Sequence, residues 1–267
     1  MSNKGSIAQS DTSIVTDGLE FNMDSSKFTC YPRTGTTCTD LVNSEDGTLT
    51  NGPTFENNNL GVVDFDGTND LIRFNNSASP FNIPVTNAIE LWYYPTGNGA
   101  QVTGNIIFSR GGDPAPYVDW GIYHTVNDSG GSGAVNTIEG IYGITDSPSF
   151  NKFKCTNSII STNNWYHIVM TQSTTDRKIY VNNVERFSTT GTYSNGVSNA
   201  QRVDLGAWVY GGSFFRSAEG KIPIARVYHK YLTAAEVSIN YNAMKERFGL
   251  WAILENMLYS IQVNLVL

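Results

Sequence analysis

Apolar positions along this chain recur at two spacings. Over most of its length they alternate with polar ones in short runs, the period of a half-buried strand. Leu19, Phe21 and Met23 alternate with Glu20 and Asn22 and predict a strand over residues 18–23. Further runs rich in β-branched and aromatic residues predict strands at 61–66, 71–75, 88–94 and 105–110. The series continues at 117–124, 138–144, 150–155, 165–172, 177–181, 184–187, 202–208 and 221–228. In AIELWYY, Ile89, Leu91 and Tyr93 alternate with Glu90, Trp92 and Tyr94, so both faces are apolar. Such a strand is central and covered on its second side. Asn182 and Asn183 separate two of the runs, and asparagine tolerates the positive φ of a tight hairpin.

The second spacing occurs once. Val237, Tyr241, Met244 and Phe248 form a helical stripe behind Thr233 and Glu236, the pattern of a capping box, with Gly249 as terminator. This predicts a helix over 234–248 laid against a sheet. Residues 1–17 read as an N-terminal arm and 18–250 as one domain, since strand patterns lie on both sides of every plausible cut. The apolar stretch 251–267 holds one charged residue, Glu255. A helix over 251–258 and a strand through Ile261, Val263 and Leu265 are its expected elements. It either closes the domain's own core or docks on another chain.

Composition narrows the class. Forty per cent of the 267 residues are hydrophobic and 15% charged, enough to bury one substantial core. The formal charge of -7, with scattered basic residues, offers no surface for nucleic acid. No run approaches the ~18 apolar residues of a membrane span. The first residues lack the apolar stretch of a secretion signal. Three cysteines, Cys30, Cys38 and Cys155, are too few and odd in number for a disulfide scaffold, and separately buried thiols are expected. Pairing of Cys30 with Cys38 in an oxidising setting stays open.

Catalytic motifs are absent. A glycan-cleaving pair needs two carboxyl groups about 5 to 10 Å apart, which a strand supplies at i and i+2 or i+4. Glu90 and Glu185 each stand alone in their strands, and no HExxH, zinc-spaced cysteine pair, GxSxG or phosphate loop occurs. DFDGTND, with Asp66, Asn69 and Asp70, carries the oxygens calcium favours, but a simple tight turn explains it as well. No cofactor is expected beyond that calcium option. Tyr210, Phe214 and Phe215 are flanked by glycines in VYGGSFF and are candidates for stacking on a glycan. A loop folded back on its own aromatics would have the same sequence.

Several stretches carry a resemblance: GLEFNMDSS at 18–26, TGTTCTDLVNSEDGTLTNGPTF at 34–55, VVDFDGTNDLIRF at 62–74 and AIELWYYP at 88–95. IIFSRGG at 106–112, WYHIVMTQ at 165–172, KIYVNNV at 178–184, LGAW at 205–208 and the stretch 221–250 continue it in order. Together they resemble the concanavalin A-like lectin/glucanase superfamily, in particular its laminin-G/pentraxin-like branch. The resemblance implies an all-β fold, a two-sheet antiparallel jelly-roll sandwich with one short C-terminal helix. Three departures bear on function: Cys38 stands where the family often has tryptophan, Pro223 where calcium-dependent relatives carry aspartate, and the glucanase E-x-D-x-E signature is missing.

The closing NYNAMKERFGL resembles the end of related domains in structural proteins of tailed bacteriophages. That resemblance implies a non-enzymatic virion component, a capsid decoration or a head or tail fibre, synthesised in the host cytoplasm. Its expected partners are capsid or tail proteins and further copies of itself, a trimer by analogy with fibres. Trp251, Ile253, Leu254, Leu258, Ile261 and Val263 are the candidates for that assembly contact. The alternative is a carbohydrate-binding adhesion module recognising a host-surface glycan.

Overall fold

Two-residue periodicity governs nearly the whole chain. In a computed structural model the residues described are 13–74, 79–99, 104–111, 118–126, 135–143, 151–156, 158–194, 202–210 and 212–250. β1 (Leu19–Asp24) buries Phe21 and Met23 on one face, as their alternation requires. Three short, polar strands follow, β2 (Thr37–Thr39), β3 (Asp46–Thr50) and β4 (Thr54–Glu56). Next come β5 (Val62–Asp66), β6 (Leu71–Phe74), β7 (Asn87–Pro95) and β8 (Asn105–Arg110). The middle of the chain forms β9 (Trp120–Thr125), β10 (Thr137–Tyr142) and β11 (Asn151–Lys154).

β12 (Tyr166–Gln172), β13 (Asp176–Val181) and β14 (Val184–Thr190) make a meander. Asn182 and Asn183 turn the last pair at φ of 50° and 63°, the two positive values a two-residue hairpin of matching twist needs. The strand expected over 202–208 is instead two pieces, β15 (Val203–Leu205) and β16 (Trp208–Tyr210), parted at Gly206. β17 (Ser213–Phe215) and the long β18 (Glu219–Tyr228) complete the strands.

All strand pairs are antiparallel. The first sheet runs β14-β13-β12-β7-β18-β5-β4, with β1 also paired to β18. The second runs β11-β10-β9-β8-β15-β6-β3-β2, and β16 and β17 form a separate hairpin. Pro223 lies inside β18, where a missing N–H should break a ladder. It is tolerated because that edge of β18 has left β5 after Lys221 and has not yet met β1 at Ile224. On the other edge, the register with β7 shifts between the same two residues.

Between the sheets lies the main core. Phe21 meets Phe74 edge-on at 4.9 Å and Phe81 at 5.0 Å, while Phe108 meets Trp120 at 5.0 Å. The second face of β7 is covered as its double apolar pattern demands. α1 (Ala234–Met244) is followed by a 3-10 turn, Lys245–Phe248, and Gly249 takes φ 70°. Thr233 and Glu236 close the expected capping box. The helical stripe stacks on the sheet: Phe248 lies 4.2 Å from Trp92 and 4.5 Å from Trp165, ring centre to ring centre.

Glu90, solitary in its strand, is the hub of that same face and is fully buried. Arg226 Nη1 donates to its Oε1 at 2.7 Å, Asn240 Nδ2 of α1 donates to Oε2 at 2.6 Å, and His167 Nε2 stands 3.0 Å from Oε1. Burial pushes the Glu90 carboxyl up, but Arg226, His167 and Asn240 outweigh it and hold the group down at about 2. Asn240 also accepts from the Val15 N–H at 2.8 Å, so the end of the N-terminal arm is tied to the helix. Cys30 and Cys38, expected as separate thiols, meet inside the core, whereas Cys155 lies apart beside Thr137.

Candidate functional site

Register places one residue per strand in a row across the second sheet. Thr48 pairs with Arg73, Arg73 with Asp204, and Asp204 with Ser109. Ser109 pairs with Gly121, Gly121 with Ile141, and Ile141 with Lys152. Directly paired residues share a face. Their chain neighbours Leu205, Phe108 and Ile122 belong to the inter-sheet core, so this row lies on the outer face. A second row beside it joins Ile106, Tyr123, Glu139 and Lys154.

A hairpin lies against this face. After β15 the chain turns at Gly206, φ 96°, whose N–H donates to Ile107 O at 2.9 Å and whose carbonyl accepts from Ala218 N at 2.6 Å. A Cβ there would run into the Phe65 ring, so the turn requires glycine. It sends β16 over the sheet, where Trp208 packs, partly exposed, against Ile106, Val118, Tyr123 and Ile141. Val209 and Phe214 pack with Leu71 and Ala207.

The charges on this face are committed. Arg73 grips Asp204 with a two-pronged fork at 2.7 and 2.8 Å. Burial pushes the Asp204 carboxyl up, and the Arg73 bonds only partly offset it. Lys152 Nζ stands 3.3 Å from Glu139, and the Arg216 guanidinium lies 5.6 Å from the Tyr123 ring centre. Asp204 and Glu139 sit on strands three apart, about 14 Å at ~4.8 Å per strand. That exceeds the ~5–9.5 Å of a glycosidase pair. Asp204 and Ser109 are buried, so what the face offers at its surface is Thr48, the half-exposed Arg73 and Lys152 with an indole between them, a mix of polar and aromatic groups of the kind used to hold a polar ligand with an apolar face.

Of the aromatics singled out in the sequence, Phe214 is not a free platform. Its ring is folded back on Leu71, Ala207 and Val209. Tyr210 and Phe215 are placed on the hairpin backbone, and their side chains lie outside the described residues. Trp251, Ile253, Leu254, Leu258, Ile261 and Val263 also lie outside them. Asp66 and Asp70 act as turn formers. Asp66 Oδ1 accepts from the N–H of Thr68 at 2.8 Å, and Asp70 Oδ2 accepts from the N–H of Asp66 at 3.1 Å. The Asn69 carbonyl accepts from Asn51 at 2.9 Å. Among the described residues no group of three or more acids, histidines or cysteines gathers there.

Arg73, Asp204, Tyr123 and Ser109 carry no sequence motif, because each comes from a different strand and only register assembles them. Alternation within β6 and β8 was the one available signal, marking Arg73 and Ser109 as outward residues.

A sandwich of two antiparallel sheets with a short helix laid on one side is the architecture of the lectin-like jelly rolls. The sequence profile of a laminin-G family of the Concanavalin A-like lectin/glucanases superfamily matches residues 66–238, and the chain belongs to that superfamily. A search of curated protein sequences finds no match. Among solved structures, the chain is similar to Domain 4 of AbnA, an extracellular GH43 arabinanase from Geobacillus stearothermophilus, in complex with arabinotriose. The TM-score is 0.60 at 17% identity over 85% of this chain and 98% of that one. The binding domain of botulinum neurotoxin serotype D aligns with TM-score 0.60 at 12% identity, over 85% of this chain and 52% of that chain. Trypanosoma rangeli sialidase in complex with sialic acid gives 0.60 at 12% identity, over 88% of this chain and 34% of that one. At these identities the likeness is one of fold. No helix among the described residues is long and apolar enough to cross a membrane.

Proposed function

We propose that this chain is a non-catalytic recognition module that binds a carbohydrate on the outer face of its second sheet, beside Trp208. The observation that carries this reading is the surface of that outer row, where Thr48, Arg73 and Lys152 reach solvent on the same face as a partly exposed indole, with Asp204 buried beneath Arg73 as its anchor. The solved arabinanase domain with bound arabinotriose lends support, since it shares the fold over nearly its whole length. The absence of catalysis rests on charge pairing: Asp204 is held by Arg73, Glu139 by Lys152 and Asp119 by Arg110. A broad glycan array probed with the folded chain tests the reading. Saturable binding is expected, with Trp208→Ala weakening it by about tenfold or more while leaving the thermal midpoint within a few degrees. An array without hits, or glycan cleavage by the purified chain, contradicts it.

A second reading is a virion structural component, a decoration or fibre that displays this sandwich and assembles through its ends. One observation favours it. The segment whose sequence resembles the close of phage structural domains packs as an integral cover on the first sheet, and the apolar stretch 251–267 begins directly after it. Copies of the chain, a trimer foremost, and capsid or tail proteins would then be its partners. Light scattering should give three times the chain mass of 29.3 kDa, falling to one on removal of 251–267. A monomer before and after removal rejects this reading and leaves the carbohydrate reading intact.

A further inference from the structure

A reverse turn carries the chain away from β1, with the N–H groups of Cys30 and Tyr31 both donating to Lys27 O at 2.9 Å. The chain then loops through Arg33 and Gly35, at φ of 66° and 79°, and returns as β2, where the Thr39 N–H donates to Cys30 O at 2.7 Å. That return brings Cys38 back to Cys30. The two sulfurs lie 3.1 Å apart, about 1 Å beyond a disulfide bond length, and both side chains are buried in the main core. No other cysteine is near, since Cys155 sits against Thr137 at the β10–β11 end of the second sheet.

We propose that Cys30 and Cys38 are a disulfide-forming pair that latches the 31–37 loop onto the sandwich. In the step proposed, a bond forms between the two Sγ atoms while the sulfur–sulfur bond of a small-molecule disulfide such as oxidised glutathione breaks. The two thiol hydrogens pass to the two released sulfurs. The protein thiols are oxidised and the small disulfide is reduced to two thiols, so atoms and electrons balance.

The latch has a defined cargo. Tyr31 donates its hydroxyl proton to Gly35 O at 3.0 Å and its ring lies 5.4 Å from Phe55. The Arg33 guanidinium lies 4.4 Å from the ring centre of Phe28 and 5.6 Å from that of Phe55. Phe28 is 62% exposed. The loop therefore holds a cation against two rings at the surface, with its base tied by the thiol contact, the Thr39–Cys30 and Leu49–Thr36 backbone bonds and β2's three-residue pairing, none of them covalent. A covalent link spanning eight positions removes the alternatives open to that loop in the unfolded chain.

The Cys30 hydrogen bond, followed by burial, pushes the Cys38 thiol well up, which slows exchange in the folded protein. The test therefore lets the bond form during folding. The full chain is refolded from denaturant in a glutathione redox buffer, alkylated under denaturing conditions and mapped by mass spectrometry. One alkylatable thiol, Cys155, and a peptide cross-linked between Cys30 and Cys38 are expected, with the cross-link unchanged in Cys155→Ala. The thermal midpoint should exceed that of the dithiothreitol-treated chain by about 5 °C or more. In Cys38→Ala the reductant should have no effect on the midpoint. Three alkylatable thiols, glutathione adducts on Cys30 or Cys38, or a cross-link to Cys155 would overturn the proposal. None of these results bears on carbohydrate binding.

Discussion

Glu90 holds four polar groups from three elements around one buried carboxylate, and its removal leaves the Arg226 guanidinium without an anion. Glu90→Gln should destabilise the fold by about 3–5 kcal/mol, measured as a lower urea midpoint at neutral pH. Because its pKa is held at about 2, below the ordinary glutamate value of 4.5, its contribution is complete above pH 4.5 and is lost as pH falls toward 2. His124 acts in a higher window. It is buried, neither ring nitrogen has a hydrogen-bond partner among the described residues, and burial lowers its pKa from 6.5 to about 4. The unfolded chain takes up that proton first, so stability falls between pH 6.5 and 4, by roughly 3 kcal/mol over the whole window. His124→Phe should remove this share, narrowing the gap between urea midpoints at pH 7 and pH 4.5. An unchanged gap contradicts the assignment.

At the scale of elements, the helix is both a cover and a clamp. Thr233→Ala removes the cap that receives the Glu236 N–H at 3.3 Å and should cost about 1 kcal/mol, a fall of roughly 2–4 °C in the thermal midpoint. The helix, its cap and its terminator were legible in the sequence because each rests on local spacing. So were β1, β7, β12 and the Asn182–Asn183 hairpin, where alternation or turn chemistry is strong. β2, β3 and β4 were not, since TCT, DGTLT and TFE are short and mostly polar, and only pairing of β2 with β3, β3 with β6 and β4 with β5 makes strands of them. The run at 202–208 looked continuous because its apolar content hides the turn at Gly206. Glu90 could have been inferred as buried: an acid in a strand apolar on both faces needs a cation, and Arg226 stands in a strand of the same kind. The outer row could not, because register between distant strands is absent from any local window.

The whole molecule is asymmetric. One sheet has its outer face sealed by α1, the 3-10 turn and the N-terminal residues from Val15, while the other carries the row from Thr48 to Lys152 beside the hairpin. On the proposed reading, that division gives stability to one side and recognition to the other. Covering the first face leaves Trp92 and Trp165 wholly structural, and Trp208 as the partly exposed indole on the opposite face. The most direct measurement is an NMR titration of the folded chain with an array-selected oligosaccharide, following backbone amides. The account predicts saturable shifts at Arg73, Ser109, Gly121 and Asp204, lost in Trp208→Ala and preserved in Thr233→Ala. Shifts confined to the helix and the first sheet, or none with any glycan, would contradict it.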